Sequence, residues 1–183
     1  MGGVQLYNMK NVFNFKESFE MQKPYAELFE TWLYQRGNVI NVVKADLDKE
    51  KQGIDYIITN KDNQIFNFQL KTDRLADKTG NICFEVISQA YKDRVSIIGA
   101  EFNMPLVDYI FYLFVPSGRL LCFQFRELLG YVIEHYDTFK NRAIDNDNNG
   151  IKYKTLCLLI PLAKIDHLVK SKNVILLDNI GID

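Results

Sequence analysis

Residues 52–73 read QGIDYIITNKDNQIFNFQLKTD, two alternating runs (53–59 and 65–71) joined by the turn-like AsnLysAspAsnGln at 60–64. Alternation of apolar and polar residues on either side of a polar turn is the pattern of a β-hairpin with one buried face. If the hairpin turns about Asp62, paired residue numbers sum to 124. Ile54 then faces Leu70, Tyr56 faces Phe68 and Ile58 faces Phe66, giving one continuous apolar face. The same register sets Asp55 opposite Gln69, with Cβ atoms roughly 5 Å apart, and puts Lys71 one pleat further along that second face. A carboxylate, an amide and an ammonium therefore converge at the open end of the hairpin.

Outward from this hairpin, the N-terminal side predicts a helix opened by Pro24. Its buried face is Tyr25, Leu28, Phe29, Trp32 and Leu33, with Gly37 just past its end. Residues 1–22 have no clear period and suit an arm or short helix. A strand is expected over 38–43, and a charged loop over 44–52. On the C-terminal side come a strand at 82–88, helix or loop over 89–105, and a second hairpin of 108–115 and 120–125. A helix over about 126–137 follows, then a polar loop at 145–150, a strand at 153–160, a short helix at 161–169 and a last strand at 174–177. There is no repeat, low-complexity segment or linker.

The whole chain of 183 residues is long enough for one domain with a substantial core and short for two. Its apolar share of 48% and charged share of 25% are those of an ordinary globular protein. The formal net charge is −1, so the broad basic excess of an unspecific nucleic-acid binder is missing, and any such surface must be a local patch or depend on metal ions. Cys83, Cys122 and Cys157 lie far apart in apolar runs with no metal-ligand spacing, and read as buried free thiols. The start lacks the apolar core of a signal peptide and no run approaches a membrane span, so a cytoplasmic protein with no membrane partner is expected.

Hydrolysis of a phosphodiester needs a cation to polarise the phosphate and to activate water. Hard cations such as Mg²⁺ take oxygen ligands and keep several waters. Asp55, the Gln69 side-chain oxygen and the Leu70 carbonyl supply such ligands, and Lys71 an ammonium able to orient water or offset developing charge. The segments QGID (52–55) and QLKTD (69–73) resemble the signature of the PD-(D/E)xK nuclease superfamily. That resemblance covers residues 25 to about 125, the expected catalytic core. It implies an α/β, restriction-endonuclease-like single domain, with a central mixed sheet flanked by helices. It further implies Mg²⁺ or Mn²⁺ held by Asp55 and residue 69, with Lys71 in water activation. A helical Glu ahead of the first strand is matched by Glu27. The stretch 79–81 with Glu85 and Ser88, and the AspTyrIle at 108–110, are similar to segments of phage and bacterial members. Gln69 departs from the family's acidic residue but matches Mrr-like nucleases. It removes one anionic ligand, which Glu85 would restore. DNA is the substrate the resemblance implies, and it admits a homodimer, since many members pair to cut two strands.

Simpler readings exist for each of these residues. The polar face of a hairpin is often just its solvated side, and an exposed helical Glu is commonplace. Arg74, Lys78, Lys92 and Arg94, with Gln89 at a helix start, suit a phosphate path; Asp73, Asp77 and Asp93 offset them. Asp145, Asp147, Asn149 and Gly150 match the opening of a calcium loop, but the twelfth position is Leu156 rather than Glu. His135 and His167 have no nucleophile at triad spacing. Two rivals to a nuclease follow. One is a nuclease-like fold that binds nucleic acid without cutting, which Gln69 favours. The other is a protein-interaction module of phage or mobile-element origin, which the near-neutral charge and exposed aromatics such as Tyr91 or Tyr112 would fit.

Overall fold

A computed structural model of the chain describes residues 13–97, 100–115, 117–148 and 150–175. The elements run β1 (Phe13–Asn14), α1 (Phe15–Gln35), β2 (Val39–Lys44), α2 (Leu47–Glu50), β3 (Tyr56–Asn60), β4 (Ile65–Asp73), α3 (Ala76–Thr79) and β5 (Asn81–Ala90). They continue with β6 (Val95–Ser96), a 3₁₀ turn Glu101–Asn103, β7 (Tyr109–Phe114), β8 (Arg119–Gln124), α4 (Phe125–Glu134) and a 3₁₀ turn Tyr136–Thr138. The chain closes with β9 (Lys140–Asn148), β10 (Ile151–Pro161), α5 (Leu162–Ile165), a 3₁₀ turn Asp166–Leu168 and β11 (Val169–Val174).

The protein is mixed α/β, with a central mixed sheet flanked by helices. That sheet has the order β11-β8-β7-β4-β3-β2, antiparallel except where β4 lies parallel to β7. A second sheet, β1-β9-β10-β5-β6, adds a layer that the sequence did not announce. In the decisive hairpin Tyr56 pairs with Phe68, Ile57 with Asn67 and Ile58 with Phe66, the register expected from a turn about Asp62.

Alternation along β7 shows how the layers form. Phe111 and Leu113 face α1, where Tyr25, Phe29 and Leu33 join Tyr56, Ile58 and Leu120 in one cluster. Ile110, Tyr112 and Phe114 face the opposite way and meet Ile82 and Phe84 of β5, Leu158 and Ile160 of β10, and Leu128 and Val132 of α4. A strand apolar on both faces is what a central position between two layers requires. Ile54 departs from the expected hairpin face: the chain leaves the ladder before Tyr56, and Ile54 packs in the second cluster with Met104 and Val107.

Several boundaries differ from expectation. Helix α1 starts at Phe15, so Pro24 lies inside it rather than at its first turn. The loop 44–52 contains α2, capped by Asp46, whose side chain accepts from Lys49 N. Strand β5 extends to Ala90, which puts Gln89 on a strand and not at a helix start. Residues 145–148 belong to β9 and hairpin with β10 instead of forming a loop, and Gly150 N donates to Asp147 Oδ1 in the turn. The last strand ends at Val174, while 176–177 and residues 1–12 lie outside the described residues. Cys83 and Cys157 are not free thiols. Pairing of β5 with β10 brings two residues 74 apart in sequence to a Cα separation of 5.6 Å, where they form a disulfide; Cys122 stays free and buried. No helix among the described residues is long and apolar enough to cross a membrane.

Candidate functional site

The site begins at the turn that follows α2. Gly53 N donates to Glu50 O and Ile54 N to Lys49 O, which closes the turn, and Gly53 takes φ +81°. A side chain there would meet both a strained backbone and the Met104 thioether packed against it. The chain leaves this turn aimed at the hairpin mouth. Asp55 N donates to Phe68 O, Asp55 O accepts from Ala45 N, and Asp55 Oδ2 accepts from Leu70 N at 2.8 Å. The carboxylate thus takes over the ladder where the backbone of β3 has turned away. Burial pushes its pKa up to about 6, against the lowering pull of the Leu70 N–H and of Lys71, with Glu50 adding to the rise.

The second face of β4 is not a solvated surface. Gln69 is 5% exposed and its Oε1 is buried without a hydrogen-bond partner. Such an orphan acceptor is unfavourable by roughly 1–3 kcal/mol unless something meets it. Two residues on, the Lys71 ammonium stands 3.5 Å from Glu85 Oε2 and 3.8 Å from Glu101 Oε2. Burial alone would lower the Lys71 pKa, but Glu101, Glu85 and Asp55 together hold it above its ordinary range. At physiological pH Lys71 is a cation.

Glu101 is the residue that the sequence did not reveal. It is fully buried, accepting at Oε2 from Glu85 N at 2.7 Å and at Oε1 from the Tyr112 hydroxyl at 3.3 Å. Burial lifts its carboxyl to about 7, opposed by Lys71. One side chain thus ties β5, β7 and the Lys71 end of β4 together. Its sequence signal was faint: a lone Glu in a stretch without clear period. Tyr112, expected as an exposed interaction aromatic, is 1% exposed and serves this network; Tyr91 instead lies under the Arg94 guanidinium.

The structure therefore brings together Asp55, Gln69, Lys71 and Glu85, with Leu70 meeting the group through its N–H. It does not bring Glu27 to them. Glu27 is exposed on α1, and among the described residues no hydrogen bond or ion pair joins its carboxylate to the group. The helical acid that reaches the sheet is Glu30, which accepts from the Tyr56 hydroxyl at 3.1 Å and pairs with Lys44 at 2.9 Å, on the α1 side of the sheet.

Beyond Lys71 lies a cleft of about 530 Å³, bordered by the end of β4, the outer face of β5, β9 and β10, and Tyr25 of α1. Glu85, Arg74, Gln89 and Arg142 line it with Lys71. Lys78 on α3 and Lys92 in the turn after β5 are exposed and outside this lining. Asp73, at the cleft's edge, accepts from Leu75 N and Ala76 N and so is spent on fixing the chain after β4.

Asp55, Gln69 and Glu85 offer oxygen donors only, the chemistry of Mg²⁺ or Mn²⁺. Among the described residues no group of three or more His, Cys, Asp and Glu side chains is arranged to hold a metal. A cation here would rest on the Asp55 carboxylate and the partnerless Gln69 oxygen, a donor set that suits an ion keeping most of its water. Comparison of the chain with family models, curated proteins and solved structures gives no match.

Proposed function

We propose that this chain is a metal-dependent nuclease of the PD-(D/E)xK type, with a restriction-endonuclease-like domain that hydrolyses phosphodiester bonds, most naturally in DNA. The observation that carries this reading is the buried Gln69 oxygen without a partner, beside Asp55 and Lys71, on a face that alternation alone would leave to solvent. A merely structural face would satisfy that acceptor or replace it with an apolar residue.

Asp55 and Gln69 would hold the cation, assisted by the Leu70 carbonyl and by Glu85. When bound, Mg²⁺ or Mn²⁺ polarises the phosphate and lowers the pKa of its water. Lys71, kept charged by its three carboxylates, donates to the attacking water or to the phosphate oxygens. Glu85 sets its position at 3.5 Å, and Glu101 anchors both from below. Arg74 at the cleft edge meets phosphate charge, and Gln89 offers an amide to the same strand. Lys78 and Lys92 are proposed as outlying phosphate contacts.

A binding module that does not cut is the second reading, favoured by one feature: Lys71 is engaged by two glutamates rather than free for water. Hydrolysis of labelled linear and circular DNA in Mg²⁺ or Mn²⁺ decides between them. The nuclease reading expects cutting by the native protein and its loss in both Asp55→Ala and Lys71→Ala. DNA binding kept by all three proteins with no cutting by any would leave the binding module.

A further inference from the structure

Strand pairing places a residue in the cleft that stands outside the hairpin motif. Cys157 of β10 pairs with Glu85 on one side and with Arg142 of β9 on the other. Residues directly opposed in antiparallel strands share a face. Glu85, Cys157 and Arg142 therefore form a row across three strands. Two strand spacings separate its ends, so Arg142 stands about 10 Å across the sheet from Glu85. Ile144 and Asn146 follow Arg142 on the same face and also line the cleft.

The chemistry of this surface fits an anionic chain. Lys71 and Arg74 stand at the β4 side, Arg142 at the β9 side, with hydroxyls and amides such as Thr155, Asn146 and Gln89 between them. Among the described residues the Arg142 side chain makes no salt bridge or hydrogen bond, whereas Lys154 on the neighbouring strand is matched by Asp145. A guanidinium without a carboxylate partner, turned into a cleft, is a ready phosphate ligand. The cleft of about 530 Å³ has the dimensions of a small-ligand pocket, a volume that matches about one or two nucleotides rather than a turn of duplex. The chain's net charge of −1 points the same way, because a protein gripping duplex phosphates over a broad face carries a basic excess.

We infer that the cleft takes a single strand or a strand end, with Arg142 clamping a phosphate one or two nucleotides away from the phosphate at Lys71. This rests on the nuclease reading for the meaning of the Lys71 end, and names the substrate as single-stranded polynucleotide. Arg142 acts by binding, not by touching the reacting phosphate.

Anisotropy of a fluorescein-labelled 12-nucleotide single-stranded DNA in EDTA tests it, because binding is then read with no cutting. The proteins are the native chain, Arg142→Ala and Arg142→Lys, each at a series of salt concentrations, with an unlabelled duplex as competitor. Arg142 is half-buried at a cleft wall, and the Lys variant guards against a loss caused by misfolding. The expected result is about five- to tenfold weaker binding for Arg142→Ala at low salt and a log–log salt slope smaller by about 0.7. Arg142→Lys should recover the slope, and the duplex should compete poorly. Equal affinity and slope in native and Arg142→Ala proteins, or no single-strand binding at low salt, or a duplex that competes as well as the single strand, overturns the inference. Cutting by a protein indifferent to Arg142 would leave the nuclease reading standing without it. Arg142-dependent binding without any cutting in Mg²⁺ or Mn²⁺ would keep the strand site and remove the nuclease.

Discussion

Replacing Glu101 with Gln should flatten the pH dependence of stability. Glu101 is fully buried, and burial raises its carboxyl from 4.5 to about 7 although Lys71 opposes the rise. The folded form therefore holds a proton that the unfolded chain releases in this window. The sign is opposite to that of an acid depressed by a salt bridge: the contribution is present in full below about pH 4.5 and is lost as pH rises through about 7. A rise of that size corresponds to about 3 kcal/mol. Gln keeps one acceptor, for the Glu85 N–H, turns an amide N–H toward the Tyr112 hydroxyl oxygen, and does not ionise. The stability of Glu101→Gln relative to the native protein should therefore improve by about 3 kcal/mol between pH 4.5 and pH 8. For a urea m-value of about 2 kcal/mol/M this moves the relative midpoint by about 1.5 M. Asp55, also raised, titrates in both proteins and drops out of the difference. The single tryptophan, Trp32, stacked on Phe29 at 5.8 Å, reports unfolding by fluorescence. Parallel pH profiles for the two proteins would refute the reasoning, since Glu101 would then ionise alike in both states.

Mn²⁺ affinity should rise about tenfold per pH unit below pH 6 and level off above about pH 7, because the cation needs the Asp55 carboxylate, which burial lifts to about 6; Mn²⁺ titrations at pH 5, 6 and 7.5 check this, and Asp55→Asn should abolish both the binding and its slope. Gln69→Glu restores an anionic ligand, so it should tighten Mn²⁺ binding at least about tenfold. It should also lower metal-free stability by about 1–3 kcal/mol, since the site at 5% exposure offers the new charge no hydrogen bond; calorimetry with and without metal separates the two effects. Gly53→Ala should destabilise by at least about 2 kcal/mol in chemical unfolding, because it combines φ +81° with overlap of the Met104 side chain.

The hairpin was legible because strict alternation and a polar turn fix register almost alone. The same register set Asp55 at the hairpin mouth across from β4, where its carboxylate meets the Leu70 N–H; the pairs it implied beyond Tyr56, Ile54 with Leu70 among them, are not made. The burial of its polar face was not legible, since alternation cannot tell a solvated face from one covered by a second sheet. That sheet depends on β9, whose sequence KNRAIDNDN has a single β-branched residue, Ile144, and whose end at 145–148 reads as loop; pairing with β10 along its length holds it extended. Pairing of β10 with β5 produced the disulfide, and its pairing with β9 set Arg142 in the same row as Glu85, so that residues more than fifty positions apart share a face that no local pattern records. Pro24 misled in the other direction: the helix runs through it, with α1 held by packing of Tyr25, Phe29 and Leu33 rather than by its start signal. Glu27 sits on the polar side of that helix, and it is Glu30 that the packing turns to the sheet.

The measurement that tests the nuclease most directly is a Mn²⁺ titration followed in one sample by metal binding and by DNA hydrolysis, with Asp55→Ala alongside. Binding and cutting should saturate together in the native protein, and both should vanish in the variant. Saturated Mn²⁺ with no hydrolysis, or hydrolysis that survives the loss of Asp55, would contradict the account.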